Sequence, residues 1–255
     1  MRITATVITL NEEHNIAAAL ESLSWADEII VVDSESTDKT VEIARRFTDQ
    51  VIVRPWPGYS AQKNFAAENA ANDLIFSLDA DERVSDELRA ALVELKRKDT
   101  SDFAGFEVNR RSFYLGRWIK HSGWNPDYKI RLYDRRRARW TGDFVHETLD
   151  VNGSITRLNG DLLHYTVRNA SEHHLRMDRY TTLAAEKSYQ EGKNASFMSL
   201  LFSPAIVFFR SYFLKLGFLD GIPGLAIALF ASHYQFLKTL KLWEKRTSPN
   251  PAQKR

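Results

Sequence analysis

The sequence predicts an α/β protein with a Rossmann-like mixed sheet and a helical C-terminal extension. Up to residue 98, short β-branched runs alternate with helical patterns, which is typical of a mostly parallel sheet with right-handed crossovers. Strand-like runs then follow one another between residues 103 and 164, which indicates mixed or antiparallel pairing. Residues 197–243 are apolar and aromatic-rich with helical spacing. A chain of 255 residues is long enough for one substantial core and an appendage.

Each element follows from a local pattern. In the first half we predict strands at residues 3–10, 28–32, 50–53 and 73–78, and helices at 12–23, after a cap at 36–38, and at 61–71. Later strands are expected at 103–109, 128–133, 144–149 and 155–164, with Asn152-Gly153 as a hairpin turn, and a polar helix at 171–191. These elements divide the chain into a domain at 1–165, a helical extension at 166–246 and a disordered tail at 247–255.

The composition excludes several classes of protein and of site. Because the chain has no cysteine, it has no disulfide, thiol nucleophile or cysteine-ligated zinc, and any metal must bind carboxylates or histidines. The N-terminal run MRITATVITL contains no targeting segment, so we expect a cytoplasmic protein. The pattern Gly-x-Gly-x-x-Gly is absent, which argues against a dehydrogenase. Residues 9–15 contain no glycine, which argues against a sugar nucleotidyltransferase.

Acidic side chains follow the predicted strands at the point where each strand ends. Asp33 ends the second strand, and Asp79 and Asp81 come at the end of a later one. The carboxyl ends of parallel strands meet at one edge of a sheet, where ligands bind. Two carboxylates spaced Asp-x-Asp can share Mg²⁺ or Mn²⁺, which prefer oxygen ligands and bridge them to substrate phosphates. Each acidic residue alone also fits a plainer role in a turn or cap.

Four segments together resemble the inverting glycosyltransferases of family 2, which have the GT-A fold. They are TVITLNEEHNI, IIVVDSESTDKT, QKNFA and FSLDADE, in that order, over roughly residues 3–100. The resemblance implies a nucleotide-sugar donor together with Mg²⁺ or Mn²⁺. It places the metal on Asp81 with Asp79, and it places Lys63 near the diphosphate, where many relatives have a bidentate arginine. The donor-binding residues it implies are Thr9, Leu10, Glu12, Asp33, Lys63, Asp79 and Ala80.

Inversion also requires a base that accepts the proton of the acceptor hydroxyl. The resemblance implies a carboxylate beyond the first hundred residues, and our candidate is Glu147, with Asp127 as the alternative. The neighbouring His146 is expected to orient the base or to contact the diphosphate.

Later segments that include Trp124 and Arg131 resemble the lipopolysaccharide core β-1,4-glucosyltransferases that act on an inner-core heptose. This resemblance implies UDP-glucose as the donor, a lipid-linked saccharide as the acceptor, and Trp124 and Arg131 as acceptor or diphosphate contacts. A different envelope glycan, a polyprenyl-phosphate acceptor and a non-catalytic scaffold are the alternatives.

Basic residues are concentrated between residues 110 and 139, where ten Lys/Arg face two Asp, a local net charge of +8. We expect this charge to attract a phosphorylated acceptor or anionic lipid, and not nucleic acid, because no recognition motif accompanies it.

In the extension, an apolar run of 13 residues precedes Arg210 and an uncharged run of 17 spans 221–237. Both are shorter than the roughly 20 residues of a spanning helix. We therefore expect interfacial helices on the inner membrane surface, with core packing or a homo-oligomer interface as the alternative.

Overall fold

The strands and helices of the chain follow the predicted alternation closely in the first half. A computed structural model describes residues 1–98, 100, 102–142 and 147–247. In chain order, its strands are β1 (Ile3–Thr9), β2 (Glu28–Asp33), β3 (Val51–Val53), β4 (Leu74–Asp79), β5 (Glu82–Val84), β6 (Phe103–Tyr114), β7 (Arg117–Trp118), β8 (Tyr128–Asp134), β9 (Ala138–Thr141), β10 (Thr148–Val151) and β11 (Ser154–His164). The helices are α1 (Ile16–Glu21), α2 (Thr40–Ala44), α3 (Tyr59–Glu68), α4 (Asp86–Leu95), α5 (Ala170–Gln190), α6 (Phe197–Phe209) and α7 (Gly221–Thr247).

The chain folds into two compact units. The first, which we call the sheet unit, comprises Met1–Arg111 and Asp127–Tyr165. The second, the helical unit, comprises Ser112–Pro126 and the helices after residue 166. The segment Ser112–Pro126 differs from the predicted division, which assigned it to the first domain.

Parallel pairing at the centre of the sheet sets the position of the strand ends. The sheet order is β3-β2-β1-β4-β8-β6-β11-β5, with β1 to β4 mutually parallel wherever they are neighbours and β8 antiparallel to β4. The register places Thr9 opposite Asp33 and Ile8 opposite Asp79. The predicted mixed α/β sheet is confirmed, and the three strand ends lie at one edge.

The core of the sheet unit explains why β1 is apolar and β-branched along its whole length. Every residue of β1 is buried, as expected for a central strand that is covered on both faces. On one face, Phe76 lies in the core with Leu88 and Leu92 of α4, and the Trp25 ring meets the Phe76 ring edge-on at 5.3 Å.

Two helices begin later than the sequence predicts, and the loops before them are joined by hydrogen bonds between backbone and side chains. Residues 12–15 do not join α1: the backbone N–H groups of Glu12 and Glu13 donate to Thr40 Oγ1 (2.8 Å) and Asp38 Oδ2 (3.1 Å). The predicted cap at 36–38 is likewise part of this loop, and α2 begins at Thr40. In the second half, the predicted strand 144–149 falls partly outside the described residues, and β10 begins at Thr148.

A buried carboxylate explains why Ser112–Pro126 belongs to the helical unit. Asp220 is fully buried just before α7 and accepts a hydrogen bond from the His121 backbone N–H at 2.8 Å. The His121 ring Nδ1 also lies 3.3 Å from Asp220 Oδ1. A buried charge is costly unless it is paired and hydrogen-bonded, so this contact holds the segment on the helices.

The helix that contains the apolar run of 13 residues extends past Arg210. α6 continues without a break into a π-helical turn at Arg210–Leu214. The combined segment Phe197–Leu214 has 18 residues, which is enough to cross a membrane by length and composition. Only 6% of this segment is buried. At the other end, Thr247 completes α7, and the rest of the predicted tail lies outside the described residues.

We predict that Gly160→Ala destabilises the sheet unit more than Gly58→Ala does. Both glycines have positive φ, but a Cβ at Gly160 would lie 2.2 Å from the Leu88 backbone N, whereas one at Gly58 meets nothing within 4 Å. The strained backbone costs roughly 1–3 kcal/mol at either site. The collision with α4 adds about 1–3 kcal/mol at Gly160 alone. Urea denaturation followed by circular dichroism measures the difference, and equal losses would contradict the predicted contact.

Candidate active site

Two loops beyond the strand ends are joined by reciprocal hydrogen bonds. The Asn11 backbone N–H donates to Ser36 Oγ at 2.8 Å, and the Thr37 backbone N–H donates back to Asn11 Oδ1 at 2.8 Å. Asp33, fully buried at the end of β2, accepts from the Ser36 backbone N–H at 2.8 Å and from Ser36 Oγ at 2.5 Å. The loops therefore form one rigid wall at the carboxyl edge of the sheet.

Polar atoms lie buried behind this wall without a partner. Among the described residues, Thr9 Oγ1 and Gln62 Oε1 are buried and make no hydrogen bond, although Gln62 Nε2 donates to Ser34 Oγ at 3.1 Å. Leaving a buried polar atom unsatisfied costs about 1–3 kcal/mol. Such atoms are expected where a polar ligand completes the hydrogen bonding. Leu10 is 48% exposed at the same edge and offers an apolar contact surface.

The Lys63 side chain lies between Asp79 and Glu147. Its side chain is 2% exposed, and its Nζ lies 3.2 Å from Asp79 Oδ1 and 3.8 Å from Glu147 Oε1. The same Nζ lies 4.4 Å from the centroid of the Trp140 ring, so an aromatic face also stabilises the cation. Asp79, Trp140 and Glu147 thus meet around the buried Lys63 ammonium group.

Arg131 holds two carboxylates at the end of β4. Its Nη2 lies 2.9 Å from Asp79 Oδ2 and 2.5 Å from Glu82 Oε1, and the Glu82 side chain is fully buried. Burial alone raises the pKa of Asp79, but Arg131 and then Lys63 outweigh it and hold that pKa well below its ordinary value. Burial raises the pKa of Glu82 despite Arg131, and the charge of Asp79 adds to the increase. Asp79 and Glu82 therefore share the Arg131 guanidinium, but the pKa of Asp79 is lowered and the pKa of Glu82 is raised.

Glu82 was not predicted as a site residue. It is the last residue of the segment FSLDADE, and in the structure it begins β5 and is completely buried. Its Oε2 accepts a hydrogen bond from the Asp79 backbone N–H at 3.1 Å, so it shapes the turn that carries Asp79 and Asp81. The neighbouring Ala80 is 5% exposed, which leaves no room there for a larger side chain.

Asp81 and His164 form a pair of potential metal ligands. β11 is antiparallel to β5 and places His164 opposite Glu82, and His164 Nε2 lies 3.3 Å from Asp81 Oδ2. His164 was not predicted as a site residue. The described residues contain no group of three or more metal-ligating side chains. Cations such as Mg²⁺ often use one or two protein ligands and fill the other positions with water and substrate phosphate. The pair fits a cation that substrate completes, rather than a closed structural site.

Asp127 is held more tightly than Glu147. Its Oδ2 accepts two hydrogen bonds from Arg110, at 2.9 Å from Nε and 2.7 Å from Nη2, and its Oδ1 lies 3.0 Å from Lys129 Nζ. Burial raises the pKa of Asp127, but Arg110 and Lys129 outweigh it and lower that pKa overall. Two charge-assisted hydrogen bonds from one arginine fix a carboxylate and weaken it as a proton acceptor.

Other predicted site residues lie elsewhere or outside the described chain. Trp124 is part of the helical unit, where its ring packs against Tyr114 (5.3 Å) and His173 (6.3 Å). His146 lies outside the described residues, so its predicted contacts stay a prediction. Glu12 lies at the loop wall, where its Oε2 accepts from Asn15 Nδ2 at 2.7 Å.

The predicted basic surface between residues 110 and 139 is mostly neutralised. Most of its cations form ion pairs with carboxylates, many of them from other parts of the sheet unit. The pairs are Arg110–Asp127, Arg111–Asp161, Lys129–Asp127, Arg131–Asp79, Arg135–Asp73, Arg136–Asp134 and Arg139–Glu68. The local charge therefore stabilises the fold and the site more than it presents a free surface to anions.

Comparison with known proteins agrees with this arrangement. The model of the Glycosyl transferase family 2 matches residues 4–152. The chain belongs to this family. Lipopolysaccharide core biosynthesis glycosyltransferase LpsC of Rhizobium meliloti is 32% identical over 250 residues, which cover 95% of this chain and 92% of that relative. A glycosyltransferase of Rickettsia typhi is 32% identical over 254 residues, with 95% and 87% covered.

Among solved structures, residues 1–349 of TarS from S. aureus align with a TM-score of 0.48 at 14% identity, covering 98% of this chain and 92% of that chain. The prediction of a family 2 glycosyltransferase with a GT-A fold is confirmed. The transferase carries the buried cluster of Lys63, Asp79, Glu82 and Arg131 in the part that the family model matches.

We predict that Arg131→Met costs about 3–5 kcal/mol of unfolding free energy, because it leaves Glu82 buried without its cation. The double variant Arg131→Met with Glu82→Gln should recover part of that loss, since it removes both charges. Arg136→Met is the matched control: Arg136 is 65% exposed and pairs with Asp134, so its loss should cost less than about 1 kcal/mol. Urea denaturation at neutral pH provides all three values. A double variant no more stable than Arg131→Met would refute the proposed compensation.

Proposed function

We propose that the transferase moves glucose from UDP-glucose to a saccharide of the lipopolysaccharide core. The observation that carries this proposal is the position of Asp79 and Glu147 beside the buried Lys63 ammonium group. Thr9 Oγ1, which has no hydrogen-bond partner among the described residues, lies at the same edge of the sheet. The similarity to LpsC over nearly the whole chain supports a core saccharide as the acceptor.

The wall beyond β1 and β2 is the proposed nucleoside site. Asp33 is rigidly placed by Ser36, and one of its oxygens can also accept from the base or ribose. Thr9 Oγ1 and Gln62 Oε1 supply further polar atoms that currently lack a partner in the described chain. Leu10, with Glu12 beside it, contacts the apolar face of the nucleoside. These groups together recognise the nucleotide without a glycine-rich loop.

The proposed diphosphate site lies at the turn after β4. Asp81 with His164 would hold Mg²⁺ or Mn²⁺, and Asp79 would contact the same region through its pairs with Lys63 and Arg131. A bound dication supplies neutralisation of the negative charge that builds on the departing UDP. Lys63 adds a fixed positive charge in a buried place, where an electrostatic contact is worth more than in water.

Glu147 is the proposed base for the acceptor hydroxyl. Transfer forms a bond between the acceptor oxygen and the anomeric carbon while the bond from that carbon to UDP breaks, with inversion, and Glu147 takes the hydroxyl proton. Its carboxylate lies 3.8 Å from Lys63 Nζ, near enough to the diphosphate side to face the anomeric carbon. Asp127 is less suited, because Arg110 and Lys129 already occupy its oxygens.

We propose that the transferase acts at the cytoplasmic face of the inner membrane. The exposed apolar segment Phe197–Leu214 supports attachment there. The acceptor would then be a lipid-linked saccharide presented at that surface, within reach of a membrane-attached transferase.

A donor panel tests the proposed function. The purified chain is incubated with Mn²⁺ or Mg²⁺, individual nucleotide sugars and envelope lipid extracts, and consumption of the donor is compared with mass shifts of the lipids. We expect selective consumption of UDP-glucose and a hexose mass added to one core-bearing lipid. Transfer from another donor, or to another glycan, would replace that part of the proposal.

We predict that Asp81→Asn lowers transfer by on the order of 100-fold or more, because it removes charge that fixes the cation against the leaving group. Asp86→Asn is the matched control: this carboxylate is exposed in the first turn of α4, and its loss should leave transfer close to wild type. Manganese binding followed by electron paramagnetic resonance should weaken in Asp81→Asn only. Wild-type manganese affinity in Asp81→Asn would remove Asp81 from the metal site.

We predict that Glu147→Gln keeps UDP affinity, measured by calorimetry, but lowers transfer by about 10²–10⁴-fold, since an amide accepts no proton at neutral pH. Asp127→Asn provides the comparison and should lower transfer much less. The opposite ranking, with Glu147→Gln active and Asp127→Asn inactive, would assign the base to Asp127.

A further inference from the structure

The helical unit contains a cavity that the proposed transfer reaction does not use. Its volume is about 440 Å³, within the range of roughly 300–1,000 Å³ that is typical of small-ligand sites. The walls come from α5, α6, α7 and the segment Ser112–Pro126. The lining residues include Trp124, His173, Arg176, Val207, Ile227 and Ala231.

The walls are mostly apolar, although Tyr180, Tyr234 and Gln235 also line the cavity. His173 stacks on Phe230 with ring centroids 4.0 Å apart, and its Nδ1 lies 2.7 Å from Tyr114 Oη. Burial, together with Arg176, lowers the pKa of His173 to about 4, so the ring is neutral at neutral pH. Ile227 is 1% exposed and Met177 is 4% exposed, and both line the same space. A hydrocarbon chain fits such mostly apolar walls, because it needs no hydrogen-bond partner.

One positive charge lies on the lining. Arg176 is 38% exposed at its side chain, and its Nη2 lies 3.2 Å from Glu172 Oε1. A guanidinium carries five N–H donors in a planar fork, so this contact leaves others able to reach an anionic group.

The wall formed by α6 connects the cavity to the apolar outside of the helical unit. Val207 of α6 lines the cavity. The neighbouring Phe202, Ile206 and Phe209 on the same helix are 49%, 64% and 53% exposed. Because α6 has one side on the cavity and exposed apolar side chains elsewhere, a lipid chain lying against α6 would be next to the cavity.

We propose that this cavity binds an acyl chain of an anionic membrane phospholipid, with the headgroup at Arg176. The chain would leave the bilayer beside α6 and lie against Trp124, Ile227 and Ala231, while the guanidinium contacts the phosphate. This site is independent of the proposed transfer reaction, so its test requires neither a donor nor an acceptor.

The first test uses the full-length chain in nanodiscs whose phosphatidylglycerol carries brominated acyl chains, because bromine quenches nearby tryptophan fluorescence. The quenching that Trp124→Phe abolishes reports on the cavity. We expect this component in the wild type, its loss in Ala231→Phe, which fills the cavity, and its retention in the matched Ala231→Ser. Quenching of Trp124 that Ala231→Phe leaves unchanged would show mere proximity to the bilayer and would overturn the proposal, as would no quenching at all.

A second measurement needs only the wild-type chain, in case Ala231→Phe does not fold. Calorimetry follows lysophosphatidylglycerols of increasing chain length below their micelle-forming concentrations. We expect the dissociation constant to fall about fourfold per added methylene, followed by a plateau when the cavity is full. A rise in affinity without a plateau would indicate nonspecific adsorption and contradict the site.

The headgroup and the ligand class are tested in the same format. Zwitterionic lysophosphatidylcholine should bind more weakly than lysophosphatidylglycerol, and Arg176→Gln should remove that difference. Equal binding of the two lipids by the wild type would contradict the role of Arg176. Displacement of the lipid by an excess of free glucose would assign the cavity to a saccharide and overturn the proposal.

Discussion

The buried contact of Arg131 with Asp79 and Glu82 is the interaction on which the site depends. Charges are removed from water at the end of β4, and burial is tolerated only because a guanidinium serves both carboxylates. Two further cations lie within 4 Å of these carboxylates: Lys63 Nζ is 3.2 Å from Asp79 Oδ1, and Arg110 Nη1 is 3.8 Å from Glu82 Oε1.

Much of this arrangement follows from the sequence because it depends on neighbouring parallel strands. Alternating strands and helices place Thr9, Asp33 and Asp79 at one edge, and the structure shows Thr9 opposite Asp33 in the register. Local hydrogen bonding between the loops could not be predicted in the same way. In the loop before α1, the Glu12 and Glu13 backbone N–H groups donate to Thr40 and Asp38, which are more than twenty residues away in the sequence.

The residues missed by sequence reasoning are those that depend on antiparallel pairing between distant segments. His164 reaches Asp81 only because β11 pairs with β5, and about eighty residues separate the positions that pair. Spacing within a motif carries no information on such a pairing. Glu82 was hidden for a related reason: its position beside two aspartates suggests a solvated turn, and only the surrounding sheet makes it a buried anion. The sole sequence signal for His164 was its place at the end of a predicted strand.

The two units differ in how much of their apolar surface is buried. In β1 every side chain is covered by the unit's own core, whereas α6 has no buried residue. The average composition of the chain is that of an ordinary soluble protein, because the charged sheet unit offsets the apolar helices. Contiguous exposed apolar surface is rare on soluble monomers and marks a contact with protein or membrane. Asp220 accepts hydrogen bonds from the backbone of Ser112–Pro126 and so holds this segment on the helical unit. The segment then contributes Tyr114 and Ile119 to the core of that unit, to which α6 contributes no buried residue. The helical unit can therefore keep its own small core while the outside of α6 stays available to hydrocarbon.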